Sequence, residues 1–384
     1  MHKYSQRSFK NIEFLRFLLI FAVVGVHIPY LNLNSLPEFS FLVPWTAGWQ
    51  AVEMFFVISG FFLFYKYDTH MQVLKFAIKK WLRLSPFIIV LTILGYAMTG
   101  FDVMQYPLSV NIYNALLLLD WNTHHFGPDA TILYVAWFVN VLFFVSVVYF
   151  CILKVLPHAY ATLVIGIIAF VNFFMYQRQV YIIVPFIYPL VRAFAFIGFG
   201  YLICELWKAY QTTHEKGASQ SISIIHSLLE MILFTTIIIS LYAGSTGIPT
   251  PHGLTVPPEQ IASLTAVTWF PDLTRLAIGG PSLQIAFITL FWLFLCNKGV
   301  ISRLLNHQIS IVLGSYSYAV FLVHTLIIRF LKDNFDLPHL PLALEHPYLT
   351  VVLILSAIFL LAVITHHCIE IPLANLEKRL KDNK

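Results

Sequence analysis

Of the 384 residues in this chain, 59% are hydrophobic and only 11% are charged, with a mean hydropathy of +0.79. A soluble domain carries roughly twice that charged fraction, so the composition excludes an ordinary water-soluble protein and predicts a polytopic helical membrane protein. The net charge of +5 and a pI near 8.9 would suit a nucleic-acid binder, but the distribution of the basic residues along the chain gives them another purpose.

Ten apolar runs are candidate transmembrane helices, near residues 12–31, 46–65, 84–100, 132–153, 160–176, 182–205, 222–243, 283–297, 309–330 and 347–368. The first is too long for the apolar core of a signal peptide and is followed by no small-residue cleavage site, so it is read as a retained span. With the N-terminus inside, the inner segments hold 17 of the 23 Lys and Arg. The outer loops hold only Arg178, Arg275 and Lys332, while Arg16, Arg192 and Arg329 lie within spans. That bias predicts an N-in, C-in bundle with an even number of helices. The basic excess is therefore topological, and nucleic acid is not among the expected partners.

Between the third and fourth spans, NIYNALLLLD (111–120) is too short to cross and reads as an interfacial or re-entrant helix. It belongs to a long outer loop, 101–131, which carries Asp102, Asp120, Asp129 and the pair His124–His125 but no Lys or Arg. A second long loop, 244–282, is rich in Gly and Pro and reads as irregular chain. No internal repeat and no appended soluble domain are visible, so residues 1–384 are expected to form one membrane-embedded domain. The four cysteines (Cys151, Cys204, Cys296, Cys368) lie in or at the ends of apolar runs without metal-ligand or paired spacing, and read as small apolar residues in helices.

The first span holds the most informative residues. In NIEFLRFLLIFAVVGVHIPY, Arg16 and His27 stand eleven positions apart, which leaves them within roughly 20° of one helical face and about 16 Å apart along the axis. Charged groups in hydrocarbon are costly, so an intramembrane Arg with a His in register is a functional-site hypothesis, set against a structural polar pair that serves as helix glue. An imidazole is suited to general-base work at neutral pH. The guanidinium is suited to bind an anion or to stabilise developing negative charge. Glu13, three residues before Arg16, is placed to hold it by an i, i+3 ion pair.

Other polar residues carry two readings each. Lys75, Lys79, Lys80 and Arg83 at the inner end of the third span serve positive-inside topology or dock phosphates. Ser59–Gly60 is a helix-packing contact or the lining of a narrow acyl channel, and no base is spaced to make Ser59 a nucleophile. Arg192 should face the bundle interior, with Glu53 and Glu370 as candidate partners. His324 is a hydrogen-bonded core histidine or a substrate contact. His124–His125 with Asp129 lacks a third spaced ligand, so no metal site is predicted; solvation or acceptor binding fits better. His366–His367 reflects an interfacial position at the inner end of the last span.

In order along the chain, FLRFLLIFAVVGVH resembles the R-x10-H signature of the acyltransferase-3 family of bacterial integral-membrane enzymes. EMFFVISGFFL (Glu53 to Leu63) resembles that family's acidic-x-FF-x-x-SGF segment, and KKWLRLSPF its basic inner loop running into a proline. SYAVFLVH (Ser317, Tyr318 to His324) is similar to its SY-x-x-Y-L-x-H segment, and IEIP (Glu370, Pro372) to its closing E-x-P. Three positions depart from the pattern: Lys80 replaces the first Arg of R-x-x-R, Glu53 replaces a commoner Asp, and Phe321 replaces Tyr. Bidentate phosphate recognition is lost at Lys80.

The resemblance implies an O-acyltransferase, above all an O-acetyltransferase, spanning the bacterial inner membrane many times. It implies acyl-CoA (acetyl-CoA first) as a cytosolic co-substrate rather than a bound cofactor, and a cell-envelope glycan or lipid-linked sugar as the outward-facing acceptor. His27 and Arg16 would be catalytic, and Lys79, Lys80 and Arg83 would hold the CoA phosphates. Glu13, Glu53, Ser59, Gly60, Arg192, Ser317, Tyr318, His324 and Glu370 would support them. The alternative from another class is a secondary transporter that uses Arg16, His27, Arg192 and Glu53 as a proton or anion relay; the lack of inverted repeats counts against it.

Overall fold

The computed structural model describes residues 9–31, 48, 50–65, 70–118, 131–177, 188–214, 222–243 and 281–375, and among them all regular structure is helical. In chain order the helices are α1 (Lys10–His27), α2 (Ala51–Tyr65), α3 (Val73–Met98), α4 (Leu108–Ala115), α5 (Trp137–Val155), α6 (His158–Gln177), α7 (Tyr188–His214) and α8 (Ile224–Ala243). There follow α9 (Pro281–Cys296), α10 (Val300–Leu304), α11 (Gln308–Ser315), α12 (Ser317–Asn334), α13 (Pro341–Glu345) and α14 (Pro347–Thr365), the last running on through a π turn at His366–Glu370.

Each of the ten apolar runs contains a helix. Seven helices among the described residues are long and apolar enough to cross a membrane: Val73–Met98, Tyr134–Val155, His158–Gln177, Pro189–Thr213, Ile224–Leu241, Gln308–Asn334 and Pro347–Asn375. The protein is therefore a multi-pass membrane protein. The other three runs give α2 and α9, apolar but of 15 and 16 residues, and α1, whose 18 residues include Lys10, Glu13 and Arg16. The apolar face of α6, α8 and α14 points outward: Leu163, Ile167, Phe170, Ile225, Leu228, Ile232, Val352 and Leu360 are all exposed, as lipid contact requires.

The core forms around α7, which packs on α2, α6 and α5, while α1 lies against α11, α12 and α2. Small residues set the α2–α7 distance. A Cβ on Gly60 would collide with the Ile197 carbonyl, and one on Gly200 with the Val57 carbonyl, so the two backbones touch where both side chains are hydrogen. At Gly60 a close helix-packing contact is therefore present.

The third and ninth spans depart from the predicted boundaries. The third span begins at Val73, eleven residues before the apolar run, because the stretch ahead of it, with three Lys, two Leu, an Ala and an Arg, is rich in helix formers. Lys75, Lys79, Lys80 and Arg83 therefore lie on a helix rather than in a loop, and the helix continues through Pro86. The ninth run is divided at Tyr316 into α11 and α12.

The short helix α4 is re-entrant in its contacts. Tyr96 near one end of α3 donates to the Tyr106 carbonyl (2.7 Å). Ser85 and Trp81 nearer the other end donate to the carbonyls of Ala115 (2.6 Å) and Leu116 (3.0 Å). From Tyr96 to Trp81 is fifteen residues, about 22 Å of helix, so residues 106–116 run back along α3 into the bundle. Non-helical backbone at that depth needs partners, and three buried asparagines supply them. Asn111 Oδ1 accepts from the Ile132 amide (2.8 Å), Asn114 Nδ2 donates to the Leu133 carbonyl (3.1 Å), and Asn140 Nδ2 donates to Asn114 Oδ1 (2.9 Å) and the Ala136 carbonyl (2.9 Å).

Candidate active site

His27 is the last residue of α1, and its helix runs straight from Lys10, so the Arg16–His27 register expected from the spacing is present. Arg16 Nη1 pairs with Glu13 Oε2 at 2.8 Å, the i, i+3 pair read from the sequence, with both side chains about a quarter to a third exposed (30% and 26%). Gly314 of α11 lies directly beneath Glu13: a Cβ there would stand 2.6 Å from Glu13 Cβ. The carboxylate is thus boxed between its own helix and α11, which orients the guanidinium.

At the other end of α1, His27 Nδ1 lies 2.8 Å from the Val23 carbonyl, one turn back. A carbonyl only accepts, so Nδ1 carries the proton and the ring lone pair resides on Nε2. The ring of Tyr134, from the 3-10 turn leading into α5, meets the imidazole edge-on at 5.2 Å. From α12, fully buried His324 approaches within 5.0 Å ring to ring, with Nε2 3.1 Å from His27 Nδ1. The structure therefore brings together two histidines separated by 297 positions in sequence.

The basic cluster on α3 divides by helical phase. Lys79 and Arg83 are exposed, whereas Lys80 turns inward and donates to Ser146 Oγ of α5 at 2.7 Å. Near it, Tyr318 at the start of α12 donates to the Leu84 carbonyl (3.2 Å), and Ser317 is buried beside it, its hydroxyl without a hydrogen-bond partner among the described residues. Ser59 is half-buried on α2.

Arg192 resolves its two candidate partners in favour of Glu53. Its Nη2 and Nε lie 2.7 and 3.0 Å from Glu53 Oε1, Tyr176 donates to the same oxygen at 2.8 Å, and the guanidinium stacks over the Trp137 ring at 5.2 Å. Glu370 instead bonds His366 Nδ1 at 2.7 Å inside the π turn, while His367 Nε2 meets the Tyr316 hydroxyl at 3.1 Å. Toward the far end of α12, Arg329 lies over the Tyr106 ring at 4.6 Å, and Tyr106 donates to Asp333 at 3.2 Å. Burial raises the Tyr106 phenol above its ordinary value, with Arg329 opposing, so the hydroxyl keeps its proton as that donor.

Several of these residues escaped the sequence. Tyr134, Trp137, Tyr176 and Ser146 look like ordinary aromatic and small residues of apolar spans, and nothing in their spacing marks them. Asn111, Asn114 and Asn140 did leave a signal, since an amide in an apolar run needs a partner. His124, His125 and Asp129 lie outside the described residues. Among the described residues, no group of three or more His, Cys, Asp or Glu could hold a metal ion.

A family model described as an acyltransferase domain, Acyl_transf_3, matches residues 9–367. No curated protein and no solved structure matches the chain.

Proposed function

This chain belongs to the acyltransferase-3 family, and we propose that it is an integral-membrane O-acyltransferase that moves an acyl group, acetyl first, from cytosolic acyl-CoA to a hydroxyl of an extracytoplasmic glycan or lipid-linked sugar. It would act in the bacterial inner membrane, with ten crossings and both termini inside. The observation that carries the reading is the hydrogen bonding of His27. With Nδ1–H held on the Val23 carbonyl, Nε2 is the atom able to take a proton, and it stands three turns from the Arg16–Glu13 pair on the same helix.

In the proposed step, the acceptor oxygen attacks the thioester carbonyl carbon while its proton passes to His27 Nε2. The C–S bond then breaks, and the CoA thiolate leaves and takes up that proton as a thiol. An ester C–O bond replaces the thioester, and His27 returns to its neutral form. Lys80, Lys79 and Arg83 would bind the CoA phosphates at the inner end of α3, as point charges and donors. Arg16, three turns before His27 on α1, would offset negative charge on the donor as it approaches. The donor cannot cross the bilayer and the acceptor faces outward, so the base must lie along a path through the bundle.

The transporter reading is not favoured. A relay needs groups that exchange protons or anions, whereas Arg192 and Glu53 are held on each other with Tyr176 and Trp137 around them.

The test is release of free CoA thiol from acetyl-CoA by the purified protein in detergent, with an envelope-glycan extract supplied as acceptor. Release that requires the extract and is lost in His27→Ala supports the reading. Silence of the folded wild-type protein with acetyl, succinyl and longer acyl donors alike would overturn it.

A further inference from the structure

We infer that His324 is a positioning residue for His27: its Nε2 accepts a hydrogen bond from His27 Nδ1–H, which adds a second acceptor to the tautomer set by the Val23 carbonyl and stabilises the imidazolium formed when His27 takes the acceptor proton. The inference rests on the reading of His27 as the base and adds a residue to it.

Hydrogen-bond bookkeeping alone assigns the protons. His324 Nδ1 lies 3.1 Å from the Val320 carbonyl, one turn back on α12, so Nδ1 carries a proton. His27 Nδ1 also carries one, because it faces the Val23 carbonyl at 2.8 Å. His324 Nε2 stands 3.1 Å from that protonated nitrogen. Two N–H groups cannot point at each other, so His324 Nε2 must present its lone pair, and His324 is the neutral Nδ1–H tautomer. The His27 proton is then shared between the Val23 carbonyl and His324, a three-centre arrangement that leaves one nitrogen, Nε2, able to act as base.

Each imidazole is tied to a carbonyl of its own helix, so neither ring rotates without losing a bond. The two helices that carry them pack directly on each other. Elsewhere a carboxylate commonly holds a catalytic imidazole in this way, at the cost of a second buried charge. Here the holder is uncharged and fully buried, which suits a site enclosed by hydrocarbon. His324 from α12 and Tyr134 from the turn before α5 both face the His27 ring.

The test compares His324→Leu, His324→Gln and His324→Asn in the thiol-release assay, beside His27→Ala. The Gln amide reaches the position of imidazole Nε2, so it keeps an acceptor for His27. The Asn amide reaches only the position of Nδ1. The expected result is a kcat lower by about ten- to a hundredfold in Leu and Asn, the loss of one hydrogen bond to a charged group. KM for acyl-CoA should be unchanged and activity partly restored in Gln.

The acidic limb of the pH–rate profile should also move to lower pH in Leu and Asn, because an imidazolium without its acceptor forms less readily. A merely structural histidine would not move that limb. Equal losses in Gln and Asn with the limb unmoved, or wild-type behaviour in Leu, would overturn the role of His324 while leaving His27 as base. Full activity in His27→Ala would overturn the base itself, and this inference with it. If the Leu variant does not fold, the two amides decide between them.

Discussion

Glu53 meets Arg192 through a single oxygen: Oε1 accepts from Nη2, from Nε and from the Tyr176 hydroxyl, while Oε2 has no hydrogen-bond partner among the described residues. Both side chains are almost wholly buried (1% and 5% exposed). Taking two charges out of water is costly, and removing one partner leaves the other uncompensated. Glu53→Leu and Arg192→Leu are each expected to destabilise the protein by about 3–5 kcal/mol, read as a fall in the detergent melting temperature. The double variant should melt above both singles, since it buries no unpaired charge. A double variant no more stable than the singles would show that the pair is not the source of the loss.

Asn140 holds the re-entrant segment to α5. Its Nδ2 donates to Asn114 Oδ1 and to the Ala136 carbonyl, and Asn114 in turn donates to the Leu133 carbonyl. Asn140→Leu strands a buried acceptor and is expected to cost about 1–3 kcal/mol. Asn140→Asp should be worse, because it places a carboxylate against two carbonyl oxygens. Hydrogen exchange resolves the effect by segment: amides of 108–118 should exchange faster in the Leu variant while those in the middle of α5 do not change.

What the sequence carries well is whatever depends on local period and composition. The apolar runs located every major helix, and the eleven-residue spacing placed Arg16 and His27 correctly on one helix. Contacts made across the bundle leave no such trace. The His27–His324 pair joins residues 297 positions apart, and the choice between Glu53 and Glu370 for Arg192 depends on which helices adjoin α7. The inward turn of Lys80 becomes readable only once α3 is known to begin at Val73, because helical phase then separates Lys80 from Lys79 by about 100°. The return path of α4 was hidden for a different reason. A run of ten residues too short to cross says nothing about which way it points.

That phase difference makes Lys80 and Lys79 separable by experiment. If phosphates of acyl-CoA are bound from within the bundle, Lys80→Met should lower kcat/KM for the donor by about ten- to a hundredfold, the loss of a charge-assisted hydrogen bond. Lys79→Ala, on the exposed side of the helix, should lower it less than Lys80→Met does, because a phosphate bound there stays in water, where an ion pair is weaker. Ser146→Ala should fall near wild type, since the ammonium keeps its charge and needs only a new acceptor. Equally small effects of Lys80→Met and Lys79→Ala would assign the cluster to topology alone.

Gly314 offers a test of the Arg16 site from a residue that touches no substrate. A Cβ at 314 would stand 2.6–2.7 Å from Glu13 Cβ, Oε2 and its backbone oxygen, closer than side chains and backbone tolerate, so α1 or Glu13 must shift. Gly314→Ala is expected to cost about 1–3 kcal/mol through overpacking. It should also lower thiol release, because a displaced Glu13 no longer holds the Arg16 guanidinium at 2.8 Å. Gly166→Ala is the matched control: it lies inside α6, where the nearest atom to a new Cβ is 3.8 Å away. There alanine replaces a poor helix former without a clash and should stabilise by about 0.5–1 kcal/mol. Glu13→Gln, which keeps the shape and removes the charge, separates the two effects of Gly314→Ala. It should reproduce the loss of activity with little loss of stability. An active Glu13→Gln would mean that the close packing of α1 on α11, and not the ion pair it encloses, is what turnover requires.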